Sequence, residues 1–505
     1  MIKNINSIFC IGFITILAFT INFYFGAIGV FPIDSFAFFD SSYSILKGNM
    51  PFRDYWTISG PLIDLIQSGI FYVLGVSWQT YQIHASLINV IFALSTFLFL
   101  KDLGINNHSS LFYSSCVSIL AYPSVGVPFP DHHSSIFSII ALYNLAYAIK
   151  YNKKKNWILL PICLFVAFFC KQAPAAYFII FILFFLFFYS VIYKKYNWIP
   201  IFFITCISLA IILFLFINLN NINFIDVFVQ YFLFPQSIGS ERLTNLNINF
   251  KNLVLDYKFL YIALLPTLYF FKKNFLLSII ILFSTVILIF HQLLTKNQIF
   301  IFFLIPIVCG YVHSLLIYEN KKSIKQFVLY FTIALAFFST TKYHLKFNVD
   351  RKFMELENID KSNYFDANMI NKNLKGLKWI TPSFRKNSED EIELINLTIN
   401  HLSQDGRKKI IITYYQFIST VLEESIYSYN RWYTTDGVSY PLQTNKFFSY
   451  YKKFYVDRII NNNVEVIYFT SPITEKSFLS LLKENCFKIK NVNEILYEVD
   501  IKKCF

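Results

Sequence analysis

Long apolar segments separated by short polar loops make up roughly the first two-thirds of the chain. Most of these segments are long enough to cross a bilayer as a helix, and the shorter ones would need tilt or local thinning. The pattern predicts an all-α membrane domain of about eleven transmembrane helices. The segments are 7–31, 81–100, 110–125, 134–149, 157–170, 174–193, 198–217, 253–271, 275–290, 298–317 and 327–341.

Lysines in alternate loops predict the orientation of these helices. The positive-inside rule places such loops in the cytoplasm, and the N-terminus with them. The intervening loops hold most of the acidic residues that precede Lys342, and we expect them to face the outside. The lysines are Lys101, Lys150, Lys153, Lys154, Lys155, Lys194, Lys195, Lys272, Lys273, Lys321, Lys322 and Lys325.

The composition changes at about residue 342. The last third of the chain carries 20 of the 30 acidic and 24 of the 44 basic residues. We therefore expect a transmembrane domain over 1–341, with outer loops at 32–80, 123–133 and 218–252, and a soluble domain over 342–505. An odd number of membrane crossings places this domain outside the cytoplasm. Cys486 and Cys504 could form a disulfide there, but an unpaired arrangement is equally compatible with the sequence.

Alternating and amphipathic patterns predict a small α/β fold for the soluble domain. Segments 409–414, 464–469 and 495–501 are typical of strands, and 417–427 and 447–460 are typical of helices.

Composition excludes several classes of function. Hydrophobic residues make up 56% of the 505 positions and charged residues only 15%, which indicates a bilayer as the solvent. The net charge of +14 does not indicate nucleic-acid binding, because the lysines are scattered among short loops. The sequence has no P-loop or dinucleotide-binding fingerprint, so a nucleotide-driven pump is unsupported.

The first outer loop concentrates the residues that suit chemistry. It combines acids with turn-forming and aromatic residues, and long ordered loops usually carry function. Tyr55 and Trp56 lie beside carboxylates and could offer a sugar an apolar platform with hydroxyl acceptors. A belt of aromatic side chains at the membrane interface is the alternative interpretation. The relevant positions are Asp34, Asp40, Gly48, Pro51, Phe52, Arg53, Asp54, Tyr55, Trp56, Gly60 and Pro61.

This loop resembles that of GT-C-type glycosyltransferases that use polyprenyl-phosphate-linked sugars. The similarity rests on Asp34 just after the first helix, on Gly48 fourteen positions later, and on the run from Pro51 to Trp56 with the following Gly60–Pro61 pair. Many spans and an extracytoplasmic tail domain extend the similarity to the topology. The resemblance implies transfer of a hexosyl or pentosyl group, with inversion, to a glycan, lipid or protein acceptor on the outer face of a bacterial inner membrane.

The family also suggests a catalytic base. Its first-loop aspartate corresponds to Asp34, although a helix-capping or anchoring aspartate is the alternative interpretation. Many relatives have a glutamate at the next position, where this chain has Ser35, and Asp54 is the second candidate for the base. The donor phosphate is already a leaving group, so we expect no cofactor; a divalent metal would be possible but is unsupported.

Isolated outer-side cations are candidates for binding the phosphate. They are Lys171, which lies beside Gln172 at a turn between two apolar helices, Arg242 and Lys296. Lys171 is the first choice, with a snorkelling anchor as the alternative.

The second outer loop contains Asp131, His132 and His133. Their spacing does not specify a metal site. We expect Asp131 to cap the next helix and His132 or His133 to contact acceptor or phosphate.

Two other classes of function remain compatible with the sequence. A transporter or flippase for lipid-linked sugars would place ionisable residues near the membrane midplane, whereas the acids here are gathered in outer loops. A membrane-anchored binding module would depend mainly on the tail domain. The distribution of acids favours a surface enzyme over both.

Overall fold

The computed structural model describes residues 6–295, 300–382, 388–424, 429–434, 436–470, 476–483 and 486–504. The chain is mostly helical. The α-helices are α1 (Ser7–Gly26), α2 (Pro32–Ser35), α3 (Phe39–Leu46), α4 (Pro61–Leu74), α5 (Trp78–Asp102), α6 (Asn107–Leu120), α7 (Pro130–Tyr151), α8 (Lys154–Cys170), α9 (Gln172–Tyr193), α10 (Trp198–Leu219), α11 (Phe224–Phe228), α12 (Phe234–Thr244), α13 (Lys258–Tyr269), α14 (Phe275–Thr295), α15 (Leu304–Leu315), α16 (Lys322–His344), α17 (Ser388–Gln404), α18 (Ile418–Leu422), α19 (Phe448–Asn461) and α20 (Lys476–Leu479).

Two compact units form, and the first comprises Met1–Gly26, Gln82–Leu213 and Arg242–Asn358. Its large apolar core draws on α5 to α9 and on α13 to α16. Helix α7 is largely enclosed, with most of its side chains buried. Its first turns carry Ser, Asp and His side chains, which would be costly against lipid tails, so an interior position is the favourable one.

Helices α9 and α10 have the opposite character. They expose large apolar side chains such as Phe184, Phe187 and Ile204, which suits contact with lipid rather than water. Among the residues that the structure describes, seven helical segments are long and apolar enough to cross a membrane: Ser7–Gly26, Trp78–Asp102, Gln172–Tyr193, Trp198–Leu219, Phe271–Thr295, Ile301–Tyr318 and Lys322–Met354. The prediction of a helical membrane domain is confirmed at this level.

The number of membrane crossings stays a prediction. Each predicted apolar segment falls mainly on helix, but α6, α8 and α13 are short, and α7 is too polar to join the seven. The segment predicted over 253–271 is divided into a π-helical turn, Lys251–Leu255, and α13.

The second unit comprises Ala27–Tyr81, Phe214–Glu241 and Ile359–Phe505. It therefore combines the first outer loop with the tail. Strands β1 (Phe365–Asp366) and β2 (Lys378–Trp379) form a two-stranded antiparallel sheet. A four-stranded sheet is built from β3 (Lys409–Ile412), β4 (Val466–Thr470), β5 (Lys488–Asn491) and β6 (Leu496–Asp500), in the spatial order β3-β4-β6-β5.

Strands β3 and β4 are parallel, and the other pairs of this sheet are antiparallel. All side chains of β3 and β4 are buried, as is usual for parallel strands covered on both faces. Backbone bonds attach the first outer loop to the tail: Val30 N–H donates to the Ile380 carbonyl at 2.8 Å, and Trp56 N–H donates to the Tyr429 carbonyl at 2.7 Å.

The predicted small α/β tail is largely confirmed. The predicted strands coincide with β3, β4 and β6, and the predicted helix 447–460 coincides with α19. The helix predicted over 417–427 is shorter, as α18, and the last three positions of that prediction lie outside the described residues. Cys486 and Cys504 form a disulfide, with 4.9 Å between their Cα atoms.

Candidate active site

Asp34 lies on the short helix α2, which begins directly after Phe31. Pro32 occupies the first helical position, where its fixed φ is suitable, and the backbone N–H of Phe31 donates to the Ser35 hydroxyl at 3.0 Å. Ser35 therefore has a structural contact at the position where relatives have a glutamate. The Asp34 side chain is half-buried, so it is positioned by the fold while part of it stays accessible.

Asp54 has a different environment, because the loop itself uses its carboxylate. The Asp54 Oδ2 atom accepts from the Met50 N–H at 2.7 Å and lies 2.7 Å from the Arg53 guanidinium. Arg53 in turn donates to the Gly48 carbonyl at 2.7 Å. The glycine has a φ of +91°, which favours a residue without a side chain. Much of the family-like motif therefore forms a turn that is held together by hydrogen bonds and an ion pair between its own residues.

Trp56 lies in the core of the second unit, with 1% of its surface exposed. Its ring packs against Phe234, Tyr451 and Phe454 at centroid distances of 5.1 to 5.8 Å. This environment gives Trp56 a packing role, and a contact with substrate stays a prediction.

Tyr55 belongs to a buried polar network around Asp64. The Asp64 carboxylate accepts from the Tyr55 hydroxyl at 2.9 Å and from the Ser41 hydroxyl at 2.6 Å, and it pairs with the Arg431 guanidinium. Burial raises the pKa of the Tyr55 phenol, which therefore stays protonated and donates. Asp64 is the only charged residue of the apolar helix α4, and this was its signal in the sequence. Nothing in the sequence pointed to Arg431 as its partner.

Asp131 is held by two basic side chains in the first unit. Its Oδ2 atom lies 2.6 Å from Lys171 Nζ, and its Oδ1 atom lies 2.8 Å from His291 Nε2. The expectation that Asp131 caps α7 is wrong. The cap position is Phe129, which has no side-chain cap bond, and Pro130 begins the helix. The Asp131 carboxylate turns to Lys171 and His291 because a buried charge needs partners.

His132 and His133 are buried beside this group of residues. The His132 ring contacts the Ala121 carbonyl, and His133 Nδ1 lies 3.0 Å from the Phe129 carbonyl. His133 Nε2 is also 3.3 Å from His84 Nε2 on α5. Within the described part of the chain, no group of three or more His, Cys, Asp or Glu side chains is arranged to hold a metal ion.

The structure brings two of the predicted cations towards the same histidine. Lys171 lies between α8 and α9 with its side chain 20% exposed, and Gln172 begins α9. Arg242, on α12, is close enough to His291 to act on it electrostatically. Lys296 lies outside the described residues. His84 and His291 had not been singled out, because each is an isolated histidine in an apolar helix, a pattern that gives no specific signal.

The chain has a GT-C-like fold, as the first-loop motif had suggested. It aligns with ArnT from Cupriavidus metallidurans, solved bound to undecaprenyl phosphate, over 97% of both chains with a TM-score of 0.55 and 9% sequence identity. This likeness shows a shared fold. No protein-family model and no curated protein sequence matches the chain.

A second solved structure is more distant. It is the archaeal oligosaccharyltransferase AglB from Archaeoglobus fulgidus, in complex with an inhibitory peptide and a dolichol-phosphate. The alignment covers 90% of this chain and 69% of AglB, with 12% identity and a TM-score of 0.46. At that score the likeness carries no argument.

Proposed function

We propose that this protein is a membrane glycosyltransferase that moves a hexosyl or pentosyl group from a polyprenyl-phosphate-linked donor to a glycan, lipid or protein acceptor. The observation that carries the proposal is the GT-C-like fold over 97% of the chain, combined with the half-buried Asp34 on the short helix α2 that follows the first helix. ArnT, which shares this fold, was solved with undecaprenyl phosphate, the kind of lipid that the proposed donor would leave behind.

Asp34 is the proposed base. It accepts the proton of the acceptor hydroxyl while the hydroxyl oxygen bonds to the anomeric carbon of the donor sugar. The bond from that carbon to the phosphate oxygen breaks on the opposite face, and the polyprenyl phosphate leaves with the electron pair. The configuration at the anomeric carbon inverts. The reaction needs no cofactor, because the phosphate is already a leaving group.

Lys171 and Arg242 are the proposed phosphate-binding residues. Asp131 fixes the Lys171 ammonium group through the 2.6 Å contact, and one-fifth of the side chain stays exposed for a ligand. A fixed cation stabilises the negative charge that develops on the leaving phosphate without having to reorganise. Gln172, His132 and His133 are secondary candidates for contacts with the substrates.

The proposed face of the membrane is the extracytoplasmic one. Lysines in alternate loops support a cytoplasmic N-terminus and an external tail. The Cys486–Cys504 disulfide agrees with this orientation, because such bonds persist in oxidising compartments. The bacterial inner membrane is the setting that the family resemblance suggests.

Profiling of lipid-linked sugars tests the proposal. Cells that lack the protein should accumulate one polyprenyl-phosphate sugar, and the purified protein in liposomes should consume that species and release polyprenyl phosphate. The same assay without an acceptor extract provides the control. An unchanged lipid profile, together with no consumption by the purified protein, would overturn the proposal.

A further inference from the structure

An open groove lies within the first unit, at the turn where α13 ends and α14 begins. Its volume is about 720 Å³, which falls within the range of pockets that hold small-molecule ligands. Asp34, Lys171 and Arg242, the residues proposed for sugar transfer, do not line it. Apolar side chains and two lysines form most of its wall: the lining includes Leu268, Tyr269, Phe271, Lys272, Lys273 and Leu282.

The two lysines of the groove differ in their partners. Lys273 Nζ lies 2.8 Å from Glu319 Oε2, donates to the Tyr318 carbonyl at 3.0 Å and lies over the Phe270 ring at 4.8 Å. These contacts join the turn to the end of α15. Lys272 is exposed and forms no ion pair with a carboxylate among the residues that the structure describes. Glu319 therefore balances one lysine, and the second positive charge of the groove is left without a counter-ion.

The apolar wall of the groove continues along both helices. Leu265 lies one turn from Leu268 on α13, and Val286 lies one turn from Leu282 on α14, so each pair shares a helix face. Leu265, Leu268 and Val286 are each more than half exposed. Both steps lead away from the turn that carries Lys272. The groove therefore offers a cation at one end and an exposed apolar strip that begins there.

This arrangement suits a ligand that has both an anionic group and an apolar chain. A soluble anion would contact Lys272 without using the apolar strip. The lysine distribution predicts that the turn between α13 and α14 faces the cytoplasm, at the depth where lipid headgroups meet acyl chains. Acidic lipids are attracted to lysines at this surface, and basic pockets between membrane helices bind their headgroups.

We propose that this groove binds an acidic phospholipid of the cytoplasmic leaflet. The lipid phosphate pairs with the Lys272 ammonium group, and an acyl chain lies against Leu265, Leu268 and Val286. Lys273 keeps its pair with Glu319 and holds the turn in place. The choice of leaflet rests on the predicted orientation. Lipid binding itself rests neither on that orientation nor on the proposed function.

Native mass spectrometry of the purified full-length protein in a non-ionic detergent tests the inference, with phosphatidylglycerol and phosphatidylcholine of identical acyl chains as probes. The parent should bind phosphatidylglycerol about fivefold more tightly or better, and Lys272→Gln should remove most of this preference, since one lysine at a membrane surface has an effect of about this size. Lys195→Gln is the matched control and should leave the preference unchanged, because it removes an exposed lysine from another predicted cytoplasmic loop of the same unit. Leu268→Ala should weaken both lipids a few-fold without changing the preference, because the apolar contact is common to them.

Equal binding of the two lipids by the parent would overturn the inference, and so would an unchanged preference in Lys272→Gln. If Lys195→Gln lowers the preference as much as Lys272→Gln does, both lysines are general anchors at the membrane surface and the groove is not a site. Inorganic phosphate at the concentration of the lipid should not displace it; displacement would contradict a lipid ligand. Sugar transfer is not measured, so failure of this test leaves the proposed function standing.

Discussion

Lys171 and Asp131 form an ion pair in which one partner is buried and the other is not. Nζ lies 2.6 Å from Oδ2, with 2% of the Asp131 side chain and 20% of the Lys171 side chain exposed. His291 occupies the second carboxylate oxygen at 2.8 Å. The carboxylate therefore fixes the direction of the ammonium group, while one-fifth of the Lys171 side chain stays exposed.

Removal of this cation should weaken donor binding. We expect Lys171→Ala to raise the KM for the lipid-linked donor about tenfold or more, because a phosphate loses a charge-assisted hydrogen bond. Lys171→Arg should retain part of the affinity. The measurement is steady-state transfer from a purified polyprenyl-phosphate sugar.

A double variant separates binding from structure. Lys171→Ala leaves Asp131 buried with His291 as its remaining hydrogen-bond partner and no cation, so it should also lower the thermal midpoint. The combination of Asp131→Asn with Lys171→Met removes both charges and should recover much of that stability, but not the donor affinity. If affinity returns together with stability, Lys171 is an anchor and not a phosphate ligand.

The buried pair of Asp64 and Arg431 should stabilise the second unit. Arg431→Met leaves the Asp64 charge without its cation, at a cost of about 3–5 kcal/mol, and adding Asp64→Asn should recover most of it. Arg407→Met is the control, since that arginine is 32% exposed in its pairs with Asp405 and Glu498 and should cost less than the buried Arg431. Thermal unfolding of the purified protein measures all of these effects. An equal loss for the two arginines would contradict the assignment.

Asp40 should give stability a specific pH dependence. Its folded pKa is about 7, above the ordinary value of 3.8. Between these values the unfolded chain ionises while the folded protein keeps the proton, so the contribution of Asp40 to stability falls as the pH rises and levels off above pH about 7.

The Asp40→Asn variant tests this pH dependence, because its side chain stays uncharged. Its thermal midpoint should exceed that of the parent by a margin that grows from pH about 4 to about 7, whereas Asp457→Asn should show no such trend. A constant margin across this range would show that the carboxyl is not perturbed by burial.

Reporter fusions test the orientation. The lysine distribution predicts cytoplasmic reporters after Lys155, Lys195, Lys273 and Lys322, and external reporters after Gly48, Glu241 and Phe505. A cytoplasmic reporter at Phe505 would contradict both the orientation and an extracytoplasmic reaction.

Hydropathy was sufficient to predict the helical membrane domain, because burial in lipid demands long apolar segments. It could not predict that α7 lies inside the first unit, since the apolar pattern of this helix is interrupted by Ser, His and Asn side chains. Strand β5 was missed because its Lys-Ile-Lys-Asn sequence has no buried face. Helix α17 could have been found from the three acids in its first turn, a common helix-start signal.

The residues of the candidate site could be predicted only where they lie close together in the sequence. The run from Pro51 to Trp56 indicated the family, although its side chains mainly build the loop. Asp64 with Arg431 and Asp131 with His291 join residues that lie 367 and 160 positions apart, so no spacing in the sequence could pair them.

The most direct measurement is the transfer rate of the purified Asp34→Asn variant with a polyprenyl-phosphate-linked sugar and its acceptor. Asparagine has nearly the same shape but cannot accept the proton, so kcat should fall about a hundredfold or more while expression and donor KM stay near those of the parent. Asp40→Asn should lower transfer much less. If Asp34→Asn transfers at the parental rate while Asp54→Asn or Asp131→Asn is inactive, the base is misassigned; if none of these carboxylates affects transfer, the account of this protein as a glycosyltransferase is contradicted.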